Sequence, residues 1–298
     1  TTIALAQQPP KELINITPTT LPTATPPTAG DPPIWFEPFP AHRIIANVYY
    51  VGSKDLATYL ITTPQGHILI NSGFERTVPL IAKSVTSLGF KMTDVKILLA
   101  SHAHSDHVAG HARLKALTGA AVYVMTGDDS VIATGGQGQY LYTESRWPPC
   151  KVDRVLNDGE QVTLGDVTLT AHRTPGHTRG NTTWTWPVHD AGKTYNVVVI
   201  GSPNVNPGYQ LVNNKDYPQI ADDFAQTFKV LNSLPCDIFL GAHGAYYNMI
   251  EKYDRSQKDK SANPFIDPAG YRAYVSQKEQ AFRDQLAAQR ATAPAPAH

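Results

Sequence analysis

Three histidines and an aspartate fall within six residues, His102-Ala103-His104-Ser105-Asp106-His107, directly after the apolar run Ile97-Leu98-Leu99-Ala100. Such a run bounded by polar residues reads as a buried strand, so the ligand-type side chains stand where a strand opens into a loop. Alternate side chains of an extended segment share a face. His102, His104 and Asp106 can therefore converge, with His107 pointing elsewhere. One short loop could then serve two metal ions about 3.5–4 Å apart, the spacing of two-metal hydrolytic sites. Imidazole with carboxylate suits zinc, and a polar loop rich in histidine by chance is the weaker reading.

That loop cannot complete the site alone, and cysteine cannot supply the remainder. The chain has two cysteines, Cys150 and Cys236, too few for a cysteine zinc site or a disulfide framework. They pair only if the fold brings them together. The further ligands must be histidine or carboxylate. Two histidines stand where a ligand would: His177, in Thr174-Pro175-Gly176-His177-Thr178, and His243, in Gly241-Ala242-His243-Gly244. Each follows an apolar strand-like run and neighbours a glycine that lets backbone approach closely. His111 lies one helical turn after His107 and could support it, whereas His42, His67, His172, His189 and His298 read as structural or solvated.

A chain of 298 residues can bury a sizeable core. Its 25 basic and 25 acidic residues cancel, so no polyanionic or membrane-surface partner is expected, and no apolar run approaches the ~20 residues of a membrane span. Ala4-Leu5-Ala6 has the small-x-small pattern of a signal-peptidase site, a remnant that suggests export. The Pro- and Thr-rich stretch up to residue 33 lacks the apolar content to pack. We expect a tail over 1–33, one folded domain over 34–290 and a second tail over 291–298.

The domain alternates strands and helices. β-rich runs lie at 43–51, 57–62 and 67–70, with turn chemistry between them. A helix capped by Thr77 and stopped by Gly89 follows, then the strand before the histidine loop. Next come a helix from 106 or 107 to 117, a strand over 121–125 and a short helix over 128–132. Gly135-Gly136-Gln137-Gly138 lacks the setting of a phosphate loop and reads as a flexible surface loop. Strands over 152–155, 161–164, 167–171, 182–186 and 195–200 follow. A helix over 220–231, a strand over 238–240 and a last helix capped by Asp267 end the domain. Two β-then-α halves imply two stacked sheets with helices outside, an α/β four-layer αββα sandwich.

The pattern His102-x-His104-x-Asp106-His107, His177 in a Pro-Gly-His-Thr turn and His243 after Leu-Gly-Ala resembles the metallo-β-lactamase superfamily. It is most similar to the class B β-lactamases of the third subclass. Pro38-Phe39-Pro40, Ile70-Asn71-Ser72-Gly73, His177-Thr178-Arg179-Gly180 and Pro207-Gly208-Tyr209 strengthen the likeness, which runs from about Trp35 to Ala287. The resemblance implies two zinc ions, one held by His102, His104 and His177, the other by Asp106, His107 and His243. It implies that Ser202, with Asn204 and Asn206, receives the substrate carboxylate, and that Tyr209 donates to the reacting oxygen. Superfamily lactonases and thioesterases usually carry a bridging aspartate at position 202, and the first β-lactamase subclass a cysteine. The family's disulfide partner for Cys236 falls at Tyr271, so that bridge cannot form.

The expected activity is hydrolysis of the β-lactam amide bond of penicillins, cephalosporins and carbapenems by a hydroxide that the ions make available at neutral pH. Asp106 would orient that nucleophile, with Trp35 and the loop 135–139 as walls. The partner implied is a small-molecule β-lactam, the chain a monomer, the location periplasmic or secreted in a bacterium, and the consequence antibiotic resistance. The alternatives are another hydrolase of the same fold, a lactonase or thioesterase, and an iron-dependent oxidoreductase.

Overall fold

The computed structural model describes residues 30–292; the signal remnant and most of both expected tails lie outside them. Seven strands form one sheet in chain order: β1 (His42–Ile45), β2 (Val48–Tyr50), β3 (Tyr59–Thr63), β4 (Gly66–Ile70), β5 (Val95–Leu99), β6 (Ala121–Met125) and β7 (Arg154–Leu156). The first four are antiparallel, and β4 to β7 run parallel. The second sheet has the order β12-β11-β10-β9-β8. Its strands are β8 (Glu160–Leu164), β9 (Val167–Arg173), β10 (Thr182–Asp190), β11 (Lys193–Ile200) and β12 (Ile238–Gly241), and only the β11–β12 pair is parallel.

Helices α1 (Val78–Ser87), α2 (Ser105–Val108), α3 (His111–Thr118), α4 (Asp129–Ala133), α5 (Ile220–Ser233), α6 (Met249–Lys258) and α7 (Pro268–Thr292) complete the described chain. The period-2 alternation of strand side chains assigns the layers. Tyr59, Ile61, Ile68, Ile70, Ile97 and Leu99 share a core with Leu169, Ala171 and Trp184 of the second sheet. Their neighbours Leu60, Leu69 and Leu98 face outward onto Val78, Ile81 and Val85 of α1 and Leu114 of α3. On the far side α5 and α7 meet through Phe224 and Phe282, ring centroids 5.4 Å apart, and Tyr271 of α7 packs on Phe239 of β12. The architecture is the four-layer αββα sandwich expected.

Several local expectations need correction. The run 43–51 is a hairpin, β1 and β2, because Ala46 adopts a left-handed φ of 43° and turns the chain. The helix expected over 106–117 is two pieces broken at Ala109-Gly110. Gly110 donates to Gly73 O at 3.0 Å, and a Cβ there would meet Ser72 O at 2.7 Å, so only glycine allows this approach. Thr77 does not cap α1 with its side chain; its hydroxyl donates to Phe74 O at 2.8 Å. Gly135 and Gly136 are buried rather than a free surface loop, and a Cβ on Gly135 would meet Trp147 O at 2.1 Å. Helix α6 was not foreseen: only Met249 and Lys252 are buried along it, so no apolar stripe announces it. Asp267 does cap α7, with Oδ1 accepting from Gly270 N at 2.8 Å.

Trp184 joins the sheets: its ring is fully buried in the inter-sheet core and its Nε1 donates to Ala100 O at 3.0 Å, at the edge of the histidine loop. Trp184→Ala is expected to destabilise the fold by about 3–5 kcal/mol. Urea titration followed by circular dichroism checks this, and a loss below about 1 kcal/mol would show that the site relaxes to fill the void.

Candidate metal centre

The histidine loop leaves β5 where the two sheets meet, and backbone bonds fix it there. Asn71, at the end of β4 with a left-handed φ of 67°, accepts from Ser101 N through Oδ1 at 2.8 Å. Ser101 O accepts from Thr182 N at the start of β10 at 2.7 Å. Asn181 accepts from Ser202 N, just past β11, at 2.8 Å, and Ala242 N, past β12, donates to Ile200 O at 2.9 Å. The loops bearing His102, His177 and His243 are thereby gathered at one edge of the sandwich, where loops on a rigid scaffold carry function.

The ligand-type atoms cluster in two overlapping groups. One atom from each of His102, His104 and His177 lies within 4.8 Å of the others, and the same holds for His102, Asp106 and His107. Asp106 Oδ2 is 3.0 Å from His107 Nε2 and 3.4 Å from His243 Nε2. Strand alternation placed Asp106 with His102 and His104 and set His107 apart. The structure instead turns helical at Ser105, so the period changes from two to 3.6 residues and Asp106 swings toward His107 and His243.

The electrostatics suit metal binding. Burial pushes His102 and His177 well below the usual imidazole range, with neighbouring imidazoles adding to it, and lowers His107. His104 is pushed down to about 4, again chiefly by burial. Neutral imidazole is the ligating form. Burial opposes charge on Asp106, but His107 and His243 outweigh it and hold the carboxyl well below its ordinary value. His243 is the exception: burial lowers it, yet bonds to Asp106 and Asp55 raise it to about 9. His107 Nδ1 is buried with no hydrogen-bond partner, and unpaired buried polar atoms are costly. A crowded set of buried imidazoles around one carboxylate fits divalent zinc.

Groups outside the ligand set aim it. His177 Nδ1 is 2.8 Å from Asn204 O; a carbonyl only accepts, so Nδ1 carries the hydrogen and Nε2 keeps its lone pair. His243 Nδ1 is likewise 2.9 Å from Asp55 Oδ2. Asp128 ties the two ligand loops together: Oδ2 accepts from Ala103 N and Thr178 Oγ1, both at 2.7 Å, and Oδ1 from Gly180 N at 2.8 Å. His111 Nδ1 lies 2.7 Å from Ser72 Oγ, whose hydroxyl is also 3.1 Å from His107 O. Sequence reasoning had read Asp55 as turn chemistry and Asp128 as a helix start, because their partners are 188 and 50 residues away.

The ligands open into a cavity of about 600 Å³, within the range of small-molecule sites. Trp35, Asn204 and Asn206 line it as expected, joined by the unforeseen Tyr142 and Tyr246. Tyr142 stands edge-on to His104 with ring centroids 5.0 Å apart and accepts from Asn206 Nδ2 at 2.9 Å. Two expectations change. Tyr209 is buried with its hydroxyl donating to His177 O at 2.7 Å, so it supports a ligand loop and does not face the reacting oxygen. Ser202 is also buried, its hydroxyl 3.1 Å from Tyr246 OH and within 3.3 Å of Asn204 Nδ2, so it stands behind the cavity wall. Cys150 and Cys236 are free thiols, so their pairing is not realised.

Residues 57–191 match the sequence profile described as the metallo-beta-lactamase superfamily. The chain is similar to the FEZ-1 metallo-beta-lactamase of Legionella gormanii, 50% identical, covering 85% of this chain and 98% of that one with a TM-score of 0.83. It is also similar to the class B3 di-zinc metallo-beta-lactamase LRA-12 from an Alaskan soil metagenome, 33% identical, covering 87% of this chain and 98% of that one, TM-score 0.83. A hydroxyacylglutathione hydrolase of Fuscovulum blasticum is 27% identical over 107 residues, 36% of this chain. The chain spans only about a third of that curated relative's length, 34%.

The Asp128 clamp yields a test. Asp128→Ala removes three bonds between the His102–His104 loop and the His177 loop, each worth about 1.5–3 kcal/mol to a charged acceptor. Zinc affinity is expected to fall about 10–100-fold, as for other groups that orient ligands, in competition titrations against a chromophoric chelator. Unchanged affinity in a folded variant would show that the two loops hold their positions without it.

Proposed function

The chain belongs to the metallo-β-lactamase superfamily, and from that membership we propose a zinc-dependent β-lactamase that holds two zinc ions and opens the β-lactam amide bond. The observation that carries the reading is position 202. The neighbouring ligand positions are all filled by histidine or aspartate, but here a buried serine hydroxyl is engaged by Tyr246 and Asn204. The bridging aspartate of the lactonase and thioesterase type is absent, and so is the cysteine of the first β-lactamase subclass. The similarity that spans nearly the whole of a metallo-beta-lactamase supports the same choice, whereas the hydroxyacylglutathione hydrolase match is partial.

In this reading His102, His104 and His177 hold one ion and Asp106, His107 and His243 the other. Bound zinc supplies Lewis acidity and a water acidified to a pKa near ~7. Asp106, which keeps its charge near neutrality, would accept from and orient such a water. Asn206, whose Nδ2 keeps one hydrogen beyond its bond to Tyr142, donates to the substrate carboxylate, and Asn204 lines the cavity beside it with its amide hydrogens held by Tyr246 and Ser202. Tyr142, beside His104, and Trp35, against His243, wall the cavity and exclude bulk water. Export to the bacterial periplasm or beyond completes the proposal, since hydrolysis there protects the cell from the antibiotic.

A substrate panel separates this from the alternative. The zinc-loaded protein is expected to hydrolyse a penicillin, a cephalosporin and a carbapenem, and to leave a homoserine lactone and a thioester nearly untouched. Exhaustive chelation should abolish the activity and added zinc restore it. Preference for the lactone or thioester would overturn the assignment.

Ser202→Ala tests the part played by that hydroxyl. The variant should keep both zinc ions and raise KM by about tenfold or less, the worth of one hydrogen bond of roughly 0.5–1.5 kcal/mol. Loss of an ion on metal analysis would make Ser202 a ligand.

A further inference from the structure

The segment that leads into the domain crosses the cavity edge and reaches the centre itself. Trp35 ends a short 3-10 turn, Pro33–Trp35, and is half-buried. Its indole Nε1 donates to Asp55 Oδ2 at 3.1 Å, the same oxygen that lies 2.9 Å from His243 Nδ1. The other carboxylate oxygen accepts from Ala245 N at 2.8 Å, and Asp55 O accepts from Gly244 N at 2.6 Å. The Trp35 ring also lies against His243, centroids 5.6 Å apart. Backbone thus fixes one oxygen of Asp55, and the indole fixes the oxygen that faces His243.

The segment is fastened to the body immediately after Trp35, through Phe36, Glu37 and Pro38. Lys54 N donates to Glu37 O at 2.9 Å and Lys54 Nζ pairs with Glu37 Oε2 at 2.7 Å. Pro38 bridges to Ser53. Phe36 packs on Phe74 with centroids 5.1 Å apart, and the Arg76 guanidinium lies 3.1 Å over the Phe36 ring. The loop 53–55 that carries Asp55 is therefore gripped by the same strap that delivers the indole.

We propose that Trp35 is a positioning residue for the second metal ion, and that the docking of this strap is coupled to occupancy of that position. The indole sets the Asp55 carboxylate, Asp55 holds the hydrogen on His243 Nδ1, and Nε2 is left to face Asp106 and the ion. Partners behind a ligating imidazole commonly change metal affinity 10–100-fold. Coupling of this kind is reciprocal, so an ion at His243 must also hold the strap down. The inference rests on the two-metal reading of the centre.

The test compares the metal-free wild type with Trp35→Phe, which keeps an aromatic ring against His243 and removes the indole donor. Each is titrated with zinc against a chromophoric chelator, with circular dichroism to verify the fold. The dissociation constant of the second ion is expected to rise about 10–100-fold and that of the first to stay unchanged. A merely structural loss would weaken both. Acrylamide quenching of tryptophan emission gives the reciprocal readout, because Trp147, Trp184 and Trp186 are buried and Trp35 is not. The second equivalent of zinc should reduce quenching in the wild type and have no effect in the variant. Should Trp35→Phe fail to fold, Asp55→Asn keeps the side chain's shape and must show the same split between the ions. Wild-type affinity for the second ion in a folded Trp35→Phe overturns the inference alone. A wild type that binds no second ion overturns the two-metal reading and the inference together.

Discussion

Everything at the functional edge of this molecule depends on keeping five imidazoles and a carboxylate side by side, largely out of water. Burial alone disfavours every charged form, and the structure answers differently at different positions. His102, His104, His107 and His177 are held neutral by burial. Asp106 keeps its charge because His107 and His243 face it. Such an arrangement has no obvious role in stability, since the core between the sheets is already apolar and continuous. It is what a divalent cation requires of its surroundings.

The two sheets make the arrangement possible by ending together. Strand β5 contributes the histidine loop from one sheet, and β9, β11 and β12 lead into the loops at His177, Ser202 and His243 from the other. Asn71 and Asn181 act alike on the two sheets: each accepts a backbone N–H of a neighbouring strand end, Ser101 or Ser202, at 2.8 Å. Asp128 and Asp55 then bind loop to loop. Polar groups buried in this way are stabilising only when fully partnered, and Asp128 accepts three donors. The centre is thus held in place by side chains outside the candidate ligand set.

How much of this the sequence discloses depends on the range of the interaction. The alternation of apolar residues in β3 to β5, the density of ligands after Leu99, and the strand-then-glycine setting of His177 and His243 are all local and legible. So is the cap at Asp267. Asp55 is not, because its chemistry lies with His243, 188 residues away, and nothing around it distinguishes a turn aspartate from a ligand's partner. The part expected of Tyr209 failed for the same kind of reason: whether a tyrosine hydroxyl faces a cavity or a carbonyl is set by packing. Strand alternation by itself groups Asp106 with His102 and His104, and it misleads because periodicity changes at Ser105, where strand geometry gives way to one turn of helix. Helix α6, polar on nearly all sides, has no pattern to read.

The central claim is that two zinc ions sit among these particular side chains. Crystals of the zinc-loaded protein, measured on both sides of the zinc absorption edge, test it most directly. The account predicts two anomalous peaks per chain, one bounded by His102, His104 and His177 and the other by Asp106, His107 and His243. A single peak, or a second peak coordinated by residues outside the Asp106, His107 and His243 set, would contradict it.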